Sequence, residues 1–259
     1  MNKYFAVALL LMSSLVGFAQ KKVWVGKSNK ILNIQAQYQY VLPGGDFAAR
    51  FNSFNGIGGG LSIKTTHNII YGFEGNYYFG SDLKPSSLLN NLVNGSVNGG
   101  SGYISNSSGY PSQISVGMRG FSTLGKVGYL IPVSASNRNS GILIMLGGGL
   151  VMHKYNINVT REDVPSLTED KRAGYDRYSS GWAFNQFIGY WHQSKNRYTN
   201  FYVGLDLIQA ITYNRRKYNY DEMQYDLNSH KDNYYGIKFG WIIPRYLKTK
   251  NSDDEFIFE

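Results

Sequence analysis

The sequence predicts an all-β protein, an eight-stranded antiparallel up-and-down transmembrane β-barrel. Eight segments between residues 31 and 246 alternate apolar with polar side chains, as strands with one face in lipid and the other in a lumen must. Long polar loops and very short turns join these segments in strict alternation, which is typical of outer-membrane barrels. Tyrosine (22), phenylalanine (14) and glycine (30) are abundant. After the N-terminal apolar run, no segment approaches the length of a membrane-spanning apolar helix.

The first three strands are predicted at 31–42, 57–64 and 69–79. The second is rich in glycine, which leaves room in a narrow lumen. The third strand has the clearest alternation, because aromatic and aliphatic residues occupy its odd positions and face lipid. The first strand carries a polar row for the lumen, made of Asn33, Gln35, Gln37 and Gln39.

The other five strands are predicted at 121–133, 142–152, 182–191, 198–213 and 234–243. The fifth strand is apolar on both faces, which weakens its alternation. Since bacterial barrels keep short turns in the periplasm and long loops outside, both termini are expected on the periplasmic side. A water-soluble barrel or sandwich is the alternative fold, but the charged residues here share the faces that would point inward.

The chain is predicted to be one domain behind a secretory signal peptide at 1–19. Lys3, an apolar run and the small-residue site Gly17-Phe18-Ala19 have the layout of such a peptide. An uncleaved anchor is the alternative, but the apolar run is shorter than the roughly 20 residues that a spanning helix needs. A periplasmic N-terminal segment at 20–30, the barrel at 31–246 and a periplasmic tail at 247–259 would follow. Cysteine is absent, which excludes disulfides and acylation of a first cysteine.

Charged residues on the predicted inner faces point to a network in the lumen. They are Lys64, Glu74, Lys126, Asp206 and Lys238. An eight-stranded barrel is filled by its own side chains, so these charges are expected to pair and to hold the barrel in shape. A gated path for protons or ions is the alternative. The histidines at 67, 153 and 230 occur singly, without metal-ligand spacing, so neither metal nor cofactor is expected.

A basic cluster after the seventh strand is the best candidate binding surface, formed by Arg215, Arg216 and Lys217 with Tyr218. Guanidinium groups at the outer interface could bind the phosphates of lipopolysaccharide, or the cluster could be a simple interfacial anchor. The formal net charge of +9 fits either contact with lipopolysaccharide or general solvation of the loops. A secretory signal makes nucleic acid an unsuitable partner.

The C-terminal tail is acidic and ends in an apolar tip, with Phe256, Ile257 and Phe258 before the last residue. Such a segment could add as a strand to the edge of a periplasmic partner. Disorder of a short charged terminus is the alternative.

One fragment, His192-Gln193-Ser194, resembles the site of lipid A deacylases, in which a His activates a Ser two residues away. Lys195 stands where that family has Asn, and the fragment lies at a predicted periplasmic turn. Palmitoyltransferases acting on lipid A are the other enzymes known on such barrels, and nothing in the chain resembles them. We therefore expect no catalytic residue and no enzymatic activity.

Several short motifs resemble small outer-membrane β-barrel proteins of Bacteroidota-type envelopes, which often have no assigned role. The motifs are Arg119-Gly120-Phe121, Gly141-Ile142-Leu143, His153-Lys154, Gly174-Tyr175-Asp176-Arg177, Asn214-Arg215-Arg216 and Gly240-Trp241-Ile242-Ile243-Pro244. The resemblance implies the outer membrane of a Gram-negative cell envelope, and some barrels of that envelope are accessory parts of type IX secretion or barrel-assembly complexes. The predicted function is a non-enzymatic accessory or structural subunit that binds protein partners and lipopolysaccharide. A lipid A modifying enzyme and a small-solute pore are the alternatives.

Overall fold

The computed structural model describes residues 29–84, 88–93, 103–135, 137–159, 164–194, 199–216 and 218–247. The predicted signal peptide, Lys217 and the tail residues Phe256, Ile257 and Phe258 lie outside these ranges.

Eight antiparallel strands form a closed barrel, which confirms the predicted fold class. Each strand pairs with its neighbours along the chain, and the first and last strands pair from Ile31–Tyr246 to Gly45–Asp232 to close the ring. The barrel strands are β1 (Ile31–Gly45), β2 (Phe54–Lys64), β3 (Ile69–Gly80), β4 (Ile114–Pro132), β5 (Gly141–Val159), β6 (Ser179–His192), β7 (Phe201–Asn214) and β10 (Ser229–Tyr246). Two short strands, β8 (Tyr218–Asn219) and β9 (Gln224–Tyr225), form a hairpin within the last loop.

Several strands extend further on the long-loop side than the alternation predicts. β4 begins at Ile114 instead of 121, β5 ends at Val159 instead of 152, and β10 begins at Ser229 instead of 234. Above the membrane an outward side chain no longer has to be apolar, so the sequence signal fades while backbone pairing continues. Lys154 and Asn156 are examples, since they lie on the outer face of β5 beyond its apolar part.

The barrel exterior is apolar over most of its surface. Phe73 and Trp182 leave 73% and 74% of their surface exposed, which lipid would cover. Similar outward residues recur on neighbouring strands, among them Ile57, Leu61, Val127, Ile144, Leu146, Ile188, Leu205, Ile237 and Phe239. Within the described ranges, no helix is long and apolar enough to cross a membrane.

The interior has two apolar layers with polar side chains between them. The layer near the short turns contains Ile70, Leu130, Leu143, Met145, Phe187, Trp191, Tyr202 and Ile242. The layer near the long loops contains Val41, Phe47, Phe51, Phe54, Tyr78, Leu88, Met118, Leu124, Val151, Tyr155, Ala183, Ile208, Ala210 and Tyr234. Inner residues of β5 contribute to both layers, which explains why that strand is apolar on both faces.

A short helix from the first loop fills the outer mouth of the barrel. This helix, α1 (Phe47–Arg50), begins two residues after β1 ends, within the segment between the first two predicted strands. Phe47 is fully buried, and its ring lies 4.9 Å from Phe51, 5.5 Å from Phe54 and 4.7 Å from Tyr234 between centroids. Aromatic rings thus plug the mouth from the inside.

Candidate functional site

Four of the predicted lumen charges meet in one layer at mid-barrel. Lys126 Nζ lies 2.7 Å from Glu74 Oε1 and 3.2 Å from Asp206 Oδ1. Lys238 Nζ lies 2.7 Å from Glu74 Oε1 and 2.8 Å from Asp206 Oδ2. Each cation contacts both anions, and all four residues are at most 8% exposed. The formal charges cancel, which offsets the cost of removing them from water.

Neutral side chains satisfy much of the remaining hydrogen-bonding capacity of this layer. Asn185 donates to Asp206 Oδ1 at 3.0 Å, and Asn76 donates to Glu74 Oε1 at 3.2 Å. Gln37, from the polar row of β1, donates to Asn76 Oδ1 at 2.5 Å and accepts a hydrogen bond from the Tyr202 hydroxyl. The charged layer is therefore a packed, hydrogen-bonded cluster of side chains.

Lys64 does not belong to this layer, so the predicted five-residue network needs correction. It is the last residue of β2, four positions beyond Gly60, which pairs with Glu74. Its Nζ donates to Asn139 Oδ1 at 3.0 Å, close to the short turns. The alternation assigned Lys64 to the correct face but does not encode its height along the barrel.

A second buried polar cluster, which the sequence did not predict, lies beside α1. Asp232 is fully buried; His153 Nε2 lies 2.8 Å from its Oδ2, and Thr212 donates to the same oxygen at 2.5 Å. Arg50, at the end of α1, places Nη2 3.7 Å from Asp232 Oδ1. The sequence predicts that His153 lies in a loop, because the predicted strand ends at 152. Odd-numbered residues of β5 face the lumen, and His153 continues this row. That alternation was the signal that could have placed it inside the barrel.

Side chains of the basic cluster after β7 form contacts within the protein. Arg216 binds Asp176 through Nη2 at 2.8 Å and Nε at 3.0 Å, and this hydrogen bonding raises the pKa of its guanidinium. Arg215 donates from Nε to Ser180 Oγ at 2.7 Å. Tyr218 packs edge-on against Tyr220. The Arg216–Asp176 pair joins two external loops, while Arg215 and Arg216 both stay exposed at the surface.

The external loops pack into a cap over the barrel. Its apolar centre contains Ile104, Ile157, Val164, Leu167 and Tyr175. Tyr175 is the last residue of α2 (Glu169–Tyr175), and Leu167 lies just before this helix begins.

Arg177 fastens the β8–β9 hairpin to this cap, because it pairs with Asp221 and, at 2.8 Å, with Glu222. Burial alone would lower the pKa of Arg177, but the hydrogen bond and charge of Asp221 raise it overall. Burial would likewise raise the pKa of Glu222, but hydrogen bonds from Gln224 and Arg177 and the Arg177 charge outweigh that effect and lower it. Both groups are therefore held in their charged forms at neutral pH.

The His192-Gln193-Ser194 fragment lies at the opposite end of the molecule, among the short turns. Gln193 is buried and donates to Asn33 Oδ1 at 2.8 Å, while the backbone N–H of Ser194 donates to Asn200 Oδ1 at 2.8 Å. His192 packs against Phe201 with ring centroids 5.2 Å apart. These contacts join the end of β6 to residues at the start of β7. No group of three potential metal ligands occurs in the described part of the chain.

A closed eight-stranded barrel with an apolar exterior, and with buried charged residues that pair across its interior, defines a class of protein. Only such a closed ring satisfies every barrel-strand backbone group inside lipid, and it is the architecture of outer-membrane proteins. The chain is therefore an outer-membrane β-barrel protein, located in the cell outer membrane.

Comparisons with known proteins give distant similarity in fold. The attachment invasion locus protein Ail of Yersinia pestis is 10% identical, with a TM-score of 0.40 over 83% of this chain and 99% of that one. The N-terminal β-barrel domain of OprF from Pseudomonas aeruginosa is 12% identical, with a TM-score of 0.33 over 82% and 98%. Neisserial surface protein A is 8% identical, with a TM-score of 0.33 over 81% and 95%. No protein-family model and no curated protein matches the sequence.

Proposed function

We propose that this protein is a non-enzymatic outer-membrane subunit that acts through its external cap, as an accessory or structural part of an envelope assembly, with loops that contact lipopolysaccharide. The observation that carries the proposal is the filled lumen. A layer of two lysines and two carboxylates, with no net charge, lies between two apolar layers. The helix α1 occupies the outer mouth of the barrel. A barrel without a passage has only its surfaces with which to act.

The cap offers apolar side chains that a partner could cover. Tyr110, Tyr225 and Leu227 are 70%, 72% and 69% exposed, and all three belong to external loops. Large exposed aromatic residues among polar neighbours are typical of protein-binding surfaces. The sequence resemblance to small barrels of Bacteroidota-type envelopes makes a secretion or barrel-assembly complex the proposed setting.

The two alternative functions have less support. A solute pore would need an open lumen, and a lipid A modifying enzyme would need a reactive site near the outer leaflet. His192 and Ser194 lie at the other end of the barrel and contact Phe201 and Asn200 there.

The test is site-specific photo-crosslinking in cells, with the reactive side chain at Tyr225 on the cap or at Phe73 on the lipid-facing wall. The two sites are similarly exposed, at 72% and 73%, so the wall site is a matched control. A protein adduct of defined mass from Tyr225, absent from Phe73, is the expected result. If no protein adduct formed from the cap and the pure protein gave stepwise conductance in planar bilayers, the protein would be a solute pore. If lipid A were altered and the alteration were lost in Ser194→Ala, the protein would be a lipid A modifying enzyme.

A further inference from the structure

A polar recess of about 400 Å³ lies beside the external part of β5. One wall is the outer face of that strand, with Lys154, Asn156 and Asn158. The other wall is α2, which contributes Asp170 and Arg172. This volume falls within the range of small-molecule sites in proteins.

The Arg216–Asp176 ion pair closes the recess on the side of β7. Because these two charges neutralise each other, they do not determine the charge preference of the site. That preference comes from Lys154, Arg172 and Asp170, which together carry one net positive charge.

The side chains of the two walls have hydrogen-bonding capacity left over. The Nε atom of Arg172 is shielded from solvent and has no hydrogen-bond partner in the described part of the chain. An unpaired buried donor costs free energy, so Arg172 keeps unused donor capacity beside the recess. Asn156 and Asn158 supply amide groups, each able to donate to and accept from a hydroxyl.

We propose that this recess binds one acidic sugar unit, with its carboxylate or phosphate on Arg172 and Lys154 and its hydroxyls on Asn156 and Asn158. Arginine suits either anion because its planar group donates two parallel hydrogen bonds. The polar lining disfavours an apolar ligand. One net positive charge matches one anionic group.

The position of the recess indicates the source of the sugar. Along the outer face of β5, the apolar residues Ile144, Leu146 and Leu150 are followed by Lys154, Asn156 and Asn158. The recess therefore begins where the lipid-facing surface ends, at the level of the sugar headgroups of the outer leaflet. We assign the ligand to those glycolipid headgroups. This assignment rests on the proposed contact between the loops and lipopolysaccharide.

The test uses the full chain in detergent and saturation-transfer NMR with three probes, namely glucuronate, glucose 6-phosphate and neutral glucose. We expect saturable binding of one or both anionic sugars and at least tenfold weaker binding of glucose. Arg172→Gln should raise the Kd of the anionic sugar about tenfold, the usual size of a lost charge-assisted hydrogen bond. Lys154→Gln, at an exposed position on the outer face of β5, should weaken binding in the same direction.

Lys171→Gln is the matched control, because Lys171 is the neighbour of Arg172 on α2 and donates instead to the Pro165 carbonyl at 2.9 Å. It should leave the Kd unchanged. Equal binding of glucose and the anionic sugars, absence of binding by all three, or an unchanged Kd in both Arg172→Gln and Lys154→Gln would overturn the site.

Competition identifies the source. Lipopolysaccharide from the same outer membrane should displace the anionic sugar, and a sugar that binds without such competition would overturn the leaflet assignment. Neither result alters the cap crosslinking at Tyr225, so failure of the recess and failure of the proposed function remain distinguishable.

Discussion

The ammonium group of Lys238 lies 2.8 Å from the carboxylate of Asp206, and both residues are almost completely buried in the centre of the barrel. The pair is one side of the charged layer that also contains Lys126 and Glu74. In this layer every ion has two partners of opposite sign, so removal of one ion leaves an uncompensated charge in the lumen.

Asp206→Asn should strongly destabilise the barrel. Two lysines would then share Glu74 alone, and breaking a buried ion pair in this way typically costs about 3–5 kcal/mol. The urea midpoint of unfolding in detergent, read from the mobility of unheated protein on a gel, measures the loss. Asp82→Asn removes an exposed carboxylate and is the control. Equal midpoints for the two variants would contradict the structural role of the layer.

Two adjacent glycines on β5 should differ in whether the barrel still folds after substitution by alanine. A Cβ atom at Gly149, on the inner face, would collide with the carbonyl oxygen of Thr123 on β4, and backbone cannot easily move away. A Cβ atom at Gly148, on the outer face, would lie 3.6 Å from the Ala183 carbonyl oxygen, an ordinary contact. We expect Gly149→Ala to reduce or prevent recovery of folded barrel and Gly148→Ala to fold normally. The folded fraction after refolding into detergent decides the matter, and similar yields would refute the prediction.

Loss of Arg177 should release the β8–β9 hairpin without unfolding the barrel. Arg177 pairs with Asp221 and Glu222 in the cap, whereas the barrel strands pair independently of it. Arg177→Gln should therefore speed chymotryptic cleavage after Tyr220 or Tyr225 while the urea midpoint stays near that of the wild type. Arg245→Gln removes an exposed positive charge at the opposite end of the barrel and should change neither quantity. Cleavage at the wild-type rate in Arg177→Gln would show that other contacts hold the hairpin.

The same hairpin should loosen in acid. The pKa of Glu222 in the folded protein lies below its ordinary value of 4.5, so its stabilising effect is complete above 4.5 and is lost as the pH falls through the lowered pKa. Hydrogen exchange of hairpin amides, corrected for intrinsic rates, should accelerate below pH 4.5 in the wild type. Glu222→Gln should remove much of that dependence. A wild-type profile that is flat down to pH 3 would contradict this linkage.

Removal of the aromatic plug should not create a pore. Phe47→Ala should destabilise the protein by about 3–5 kcal/mol, the usual cost of truncating a buried phenylalanine. Planar bilayers should nevertheless show no conductance, because the charged layer and the lower apolar layer around Trp191 and Tyr202 still fill the lumen. Stable current steps from the variant would mean that α1 alone seals the barrel.

Period-two alternation was sufficient to predict the fold class and the number of barrel strands. It assigned Glu74, Lys126, Asp206 and Lys238 to the inner face, because side chains of a strand alternate regardless of which strand lies beside it. It could not give their relative heights. Heights follow from the stagger between paired strands, which is a property of the closed ring, so only the structure separated Lys64 from the other four.

The external end was predicted less well, for a related reason. Beyond the membrane, lipid no longer imposes an apolar face, so the sequence does not mark how far β4, β5 and β10 continue. The partners of Arg216 and Asp232 come from distant parts of the chain, 40 residues away for Asp176 and 79 for His153. Local pattern thus determined the barrel wall. Packing of loops against each other and against the barrel mouth decided the plug, the cap and the polar recess, since those contacts depend on strand pairing that brings remote residues together.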